Sequence, residues 1–191
     1  MKPPKVISSE VVYENHWVRV REDRLERADG SPGVYSVVEK RPAAVILPVH
    51  DDGSITLVEQ YRHPIGRWSW ELPQGALDGE DTTDPEEIAR TELAEETGLR
   101  AAGLRHLSRL YFAAGISNQY FDAWLASGLT QGEQALEAEE EGLRVRRFEP
   151  GHVDEMIRAG TIADAATVAV FGLRGMAGDE DRNQTKGEPH G

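Results

Sequence analysis

The pattern of apolar and polar positions changes period several times along the chain. Residues 5–40 alternate in places, with Val18 and Val20 and later Val34, Ser36 and Val38 two apart, and the turn-rich ADGSPG at 28–33 interrupts them. A period of two sends successive side chains to opposite faces of a strand, so this region is expected to form an antiparallel meander. A continuous apolar run follows at 43–49, then DDGS at 51–54, then ITLVEQY at 55–61. That order reads as a hairpin containing a buried strand. LRHLSRLYF at 104–112, YFDAWLA at 120–126 and LRVRRFEP at 143–150 read as three more strands. Helical spacing appears in HVDEMIRAG, through Val153, Met156 and Ile157 with Gly160 as a stop, and in DAATVAVFGLRGMAG, which Asp164 can cap. The segment 178–191, GDEDRNQTKGEPHG, has no apolar residue and is expected to be a disordered tail. No internal repeat is present.

The clearest helix lies between the strands. Asp84 suits its N-cap, Pro85 its first position, and Glu87 stands where a capping box wants an acid. Gly98 suits its end. Within that helix Glu92, Glu95 and Glu96 fall in an arc of roughly 100° and face the same way. Like charges three and four residues apart repel, so either solvent or a bound cation must offset them. The preceding ELPQGALDGED, residues 71–81, brings Pro73, Gly75 and Gly79 up to the helix and leaves backbone carbonyls able to ligate a hard cation.

Composition narrows the chemistry. The 34 acidic against 21 basic residues give a formal net charge of −13, which argues against nucleic acid as a partner and favours divalent cations. The chain has no cysteine, so a metal must be held by oxygen or imidazole. The N-terminal MKPPKVISSEVVYEN lacks an apolar signal core, and no apolar run has the length of a membrane span. A cytoplasmic protein without a membrane partner is expected. At 191 residues the chain suits one domain with a small accessory sheet.

Gly75, Glu80 and TELAEETGL (91–99) together resemble the Nudix box, Gly-x5-Glu-x7-Arg-Glu-U-x-Glu-Glu-x-Gly-U, where U is bulky and aliphatic. Glu92, Leu93, Glu95, Glu96, Gly98 and Leu99 match in register. Upstream the spacing departs: four residues separate Gly75 from Glu80, ten separate Glu80 from Thr91, and Thr91 stands at the box arginine with Arg90 one place early. VEQYRHPIGRWSWELPQG, AGTIADAATVAVFGL and the N-terminal meander are similar to the ADP-ribose pyrophosphatase branch of the family. The resemblance covers most of residues 5–175.

The resemblance implies an α/β fold: a Nudix α/β/α sandwich with a mixed central sheet and an N-terminal antiparallel β-meander. It divides the chain into residues 1–40, a dimerisation subdomain, residues 41–177, the Nudix domain, and the tail at 178–191. A homodimer is implied, the alternative for the first strands being a simple extension of the core sheet. The implied reaction is metal-dependent hydrolysis of a nucleoside diphosphate linked to another moiety, with ADP-ribose first among substrates. GDP-mannose or another nucleotide sugar, and a nucleotide-binding module without turnover, are the alternatives. Mg²⁺ or Mn²⁺ is the implied cofactor, held by Glu92, Glu96, the carbonyl near Gly75 and Glu141. Glu139, in the acidic segment 137–141, takes the general-base position, with Glu95 next in line. Arg62 resembles an arginine that grips a substrate phosphate and reads equally as a surface ion-pair residue. Trp17 is a candidate to stack on adenine from across the dimer or simply to pack. Ser117 and Gly115 remain from a substrate loop whose proline position is Ala114 here.

Overall fold

A computed structural model of the chain describes residues 2–76, 84–136 and 142–184, with side chains through 175. It resolves into two compact units, Met1–Pro42 with Leu110–Phe121, and Ala43–Arg109 with Asp122–Gly191.

In the first unit, β1 (Lys5–Glu14), β2 (Arg19–Glu26) and β3 (Pro32–Glu39) pair antiparallel in that order. The Asn15 side chain accepts from the backbone N–H groups of Trp17 and Val18 at 2.9 Å each and thereby closes the first turn. The second turn needs Gly30, whose φ of 83° other residues rarely adopt. All ten residues of β1 are exposed, and Val6, Ile7, Val11, Val12 and Tyr13 among them are large and apolar. The segment 110–121 hooks onto β3. Val38 N–H donates to the Ile116 carbonyl at 2.8 Å, and Ser117 Oγ donates to the Val38 carbonyl at 2.8 Å.

The second unit holds the helices and two sheets. One sheet has the order β7-β4-β9-β8 and the other β10-β5-β6. Their strands are β4 (Ala43–Pro48), β5 (Ile55–Arg62), β6 (Arg67–Glu71), β7 (Gln74–Gly75), β8 (Leu99–Tyr111), β9 (Tyr120–Gln131) and β10 (Arg144–Phe148). The unbroken apolar run becomes β4, buried at all six positions. Both of its faces are covered, because α1 (Pro85–Thr97) and α3 (Ala165–Gln184) each pack against it. On the α1 side Ala44 and Ile46 meet Ile88, Ala89, Leu93, Leu99, Trp124 and Ala126. The short α2 (Pro150–Arg158) buries Val153 and Met156.

This is the expected α/β architecture of mixed sheets and helices with an N-terminal antiparallel meander. Two local expectations differ. The strands at 43–49 and 55–61 do not zip into a hairpin but meet at the single bridge Val49↔Ile55, because β5 spends its two edges on β6 and β10. The final helix runs to Gln184, so residues 178–184 of the expected tail are helical, and 185–191 lie outside the described residues. Among the described residues no helix is long and apolar enough to cross a membrane.

Candidate active site

The local signals of α1 act as read. The Asp84 side chain accepts the Glu86 N–H at 3.0 Å, Pro85 opens the helix, and Gly98 ends it in the left-handed region at φ 71°. These caps fix the ends of the helix, and the packing of Ile88, Ala89 and Leu93 with Ala44 and Ile46 sets which face turns inward. Glu92 and Glu96, one turn apart, point inward with only 7% and 1% of their surface exposed, whereas Glu95 is half-buried. A solvated acidic face would show the reverse.

The strand before the helix is built around these carboxylates. Gly75 in β7 lies so close to Glu92 that a Cβ placed there would stand 2.3 Å from Oε2 and 2.7 Å from Oε1. The absence of a side chain at 75 is therefore what gives the Glu92 carboxylate its seat. One residue earlier, the Gln74 N–H donates to Glu96 Oε2 at 3.0 Å. Two buried carboxylates beside a bare stretch of main chain form an all-oxygen donor set, which fits Mg²⁺ or Mn²⁺. Among the described residues no three acidic or histidine side chains form a ligand group on their own. A cation here would complete its shell with main-chain oxygen, water or phosphate, as magnesium commonly does.

A second layer of charge lies beside the first. Arg62, at the end of β5, forks onto Glu71 of β6, with Nη2 2.6 Å from Oε2 and Nε 3.0 Å from the same oxygen. Glu71 is 2% exposed. Gln74 Nε2 also donates to Glu71 Oε2 at 2.7 Å, and it reaches Asp164 Oδ2 at 3.5 Å. Asp164 caps α3 by accepting the Thr167 N–H at 2.7 Å. Burial opposes the charge on Arg62, yet the hydrogen bond and charge of Glu71, with Glu96 and Asp164 adding their fields, hold the guanidinium above its ordinary pKa. Arg62 is thus tied into the fold by a buried acid. Removing it would leave the Glu71 charge buried and unpaired, a loss of up to about 3–5 kcal/mol that water at the Arg62 end reduces.

The expected site residues divide clearly. Gly75, Glu92 and Glu96 come together, and Arg62 joins them through Glu71 and Gln74. Glu139 and Glu141 lie outside the described residues. Trp17 and Ser117 belong to the other unit; Trp17 is 55% exposed, and the Ser117 hydroxyl is engaged with the Val38 carbonyl. Arg90 does not stand in for the missing box arginine, since it pairs on the exposed face with Glu86 at 2.7 Å. Glu71 and Gln74 were not singled out from the sequence. Their one signal is the ELPQG run itself, in which a charged residue sits two places before a proline and leads directly into Gly75.

Residues 39–169 match the model of the NUDIX domain, and residues 4–38 match that of the nucleoside diphosphate sugar hydrolase N-terminal domain. The chain is 33% identical over 168 residues to the ADP-ribose pyrophosphatase of Mycobacterium tuberculosis, covering 86% of this chain and 80% of that protein. It is 30% identical over 137 residues to the ADP-ribose pyrophosphatase of Bacillus subtilis, covering 72% and 73%. A crystal structure of an ADP compounds hydrolase shares the fold, with a TM-score of 0.79, 23% identity and coverage of 98% of this chain and 97% of the other. With two thirds of the chain matched by the family model and relatives at 33% and 30% identity, this protein belongs to the Nudix hydrolase family, in its ADP-ribose pyrophosphatase-like branch.

Proposed function

We propose that the protein hydrolyses the pyrophosphate bond of ADP-ribose or another ADP-sugar, giving AMP and a sugar phosphate. The observation that carries the reading is the Gly75–Glu92–Glu96 cluster: buried carboxylates on a capped helix against a strand stripped of its side chain. The two relatives at 33% and 30% identity that cover 86% and 72% of the chain are named ADP-ribose pyrophosphatases, which puts ADP-ribose first, while one at 27% identity over 87% of the chain is named GDP-mannose pyrophosphatase and supplies the alternative.

Glu92 and Glu96 are the residues to hold a divalent cation, with the Gly75 carbonyl and Glu141 completing the protein's share. When bound, such a cation supplies positive charge against the phosphate oxygens. The chain's own residues do the remainder. Glu139, with Glu95 as the alternative, takes the proton as water oxygen bonds to phosphorus; the bridging P–O bond breaks and its electron pair leaves with the departing phosphate. Arg62, cationic in its own right and oriented by Glu71, can turn one edge of its fork to a substrate phosphate. Trp17 and Ser117 are assigned to substrate binding, Trp17 by offering a flat ring to adenine.

The test is a panel of ADP-ribose, other ADP-sugars, GDP-mannose and diadenosine polyphosphates, assayed with Mg²⁺ and with Mn²⁺. ADP-ribose is expected to give the highest kcat/KM, with AMP among its products. Preference for GDP-mannose would move the assignment to another nucleotide sugar, and binding without turnover would make the protein a nucleotide-binding module.

The N-terminal unit is the proposed dimerisation subdomain. Its outer strand carries five large apolar side chains in the open, more than a monomer ordinarily leaves uncovered. Light scattering is expected to give twice the chain mass of 21.1 kDa, and Val12→Lys to shift the protein to that single mass. A wild-type protein that is monomeric at assay concentrations would remove the assignment.

A further inference from the structure

The last four carbonyls of a helix have no partner within it and must find one elsewhere. In α1 these belong to Ala94, Glu95, Glu96 and Thr97. Gly98 N–H takes the first at 2.8 Å, in the usual manner of a glycine stop. The other three are met by one short piece of chain that begins with the last residue of β9. Ala135 N–H donates to the Glu95 carbonyl at 3.1 Å, Gln134 Nε2 donates to the Glu96 carbonyl, and Gln131 Nε2 donates to the Thr97 carbonyl at 3.2 Å. Gly132 N–H adds a bond to the Gly98 carbonyl at 2.7 Å. The fit is close: a Cβ at Gly98 would stand 2.7 Å from Gln131 Nε2 and 2.8 Å from the Gly132 carbonyl oxygen.

Residues 131–135 are thus a strap drawn across the end of the helix, and its bonds fall on the main chain of Glu95, Glu96, Thr97 and Gly98, so that of the two cation-site glutamates it reaches Glu96. Glu96 is held twice, at its carboxylate by the Gln74 N–H and at its carbonyl by Gln134. Of these holds only Gln134 acts through a side chain, so it alone can be removed without altering the backbone. A helix end released from its partners frays within its last turn, and Glu96 lies in that turn.

We propose that Gln134 is a positioning residue for the cation site: its side-chain amide fixes the last turn of α1, so that the Glu96 carboxylate keeps its place beside Gln74. This rests on the reading that Glu92 and Glu96 hold the cation. The donor matters and the bulk does not, so a side chain of equal length without an N–H should fail, and a lysine, whose ammonium also donates to helix-end carbonyls, should serve.

The experiment is direct titration of the nucleotide-free protein with Mn²⁺, followed by electron paramagnetic resonance, for wild type, Gln134→Ala, Gln134→Met and Gln134→Lys. Circular dichroism of each checks that it is folded. Loss of the donor is expected to raise the Mn²⁺ dissociation constant about fivefold to tenfold in the Ala and Met variants, and lysine to restore most of the affinity. In turnover assays the same two variants should need more metal for half-maximal rate while KM for the nucleotide stays within about twofold. Wild-type affinity in folded Gln134→Ala would overturn the proposal and leave the cation site standing. An Ala variant impaired where Met is not would also overturn it, since bulk and not the donor would then be at work. Failure of the wild-type protein to bind Mn²⁺ would overturn the reading of Glu92 and Glu96 and the proposal with it.

Discussion

Glu96→Gln should lower turnover about a hundredfold or more while leaving the protein folded, since even residues that merely support a metal ligand cost ten- to a hundredfold when changed. Glutamine keeps the volume and still offers an oxygen to the Gln74 N–H, so the 3.0 Å bond can survive. What goes is the charge. At 1% exposure that charge is costly to bury, and Glu92 one turn away carries another of the same sign. The melting temperature in the presence of EDTA is therefore expected to hold or rise in the variant, whereas the increase that Mg²⁺ gives the wild-type protein should shrink. Activity near the wild-type level in Glu96→Gln would sink the assignment of a cation to this pair.

The second large effect belongs to the acidic segment 137–141. Glu139→Gln should lower kcat severely, with metal and substrate still bound, because the substitution keeps the shape and loses only the basic lone pair. Glu141→Gln should instead raise the metal concentration needed for activity, and excess Mg²⁺ should restore part of the rate. Both variants are to be followed across a metal titration. Rescue of Glu139→Gln but not of Glu141→Gln would exchange the two roles. If neither variant loses activity the base lies elsewhere, and Glu95 is tested next.

Much of the fold could be read because local and tertiary preferences agree. Asp84, Pro85 and Gly98 announce α1 and then cap it as their chemistry requires. The run at 43–48 reads as buried and is buried on both faces. Agreement fails in β6, RWSWE, where Ser69 and Glu71 lie inside while Arg67 and Trp68 are exposed. Hydropathy assigns such a strand the wrong way round, because its buried face serves a network of charge instead of an apolar core. Glu71 was hidden for the same reason. Its partner Arg62 is nine residues away along the chain, and even the register of β5 with β6 sets Glu71 opposite Val58, four positions from Arg62, so only the reach of the two side chains reveals that one buried acid underlies the arginine. The box glutamates were legible because a helix fixes their spacing. The strap on the helix end was not, since its bonds join residues more than thirty positions apart.

The seat that Gly75 makes for Glu92 bears on how such a protein can change over generations. Glycine is not required at 75 by an unusual backbone angle, since its φ is not among the positive ones; it is required by the oxygens of another residue, 2.3 and 2.7 Å from where a methyl group would sit. The constraint is therefore conditional. Alanine at 75 would push the Glu92 carboxylate off its seat, and it becomes admissible without that shift once a shorter acid such as aspartate withdraws the carboxylate. Drift at 75 therefore meets a steric cost that depends on what occupies 92. Across descendants of this sequence the two positions should vary as a linked pair, a signature left by one carboxylate resting against one bare α-carbon.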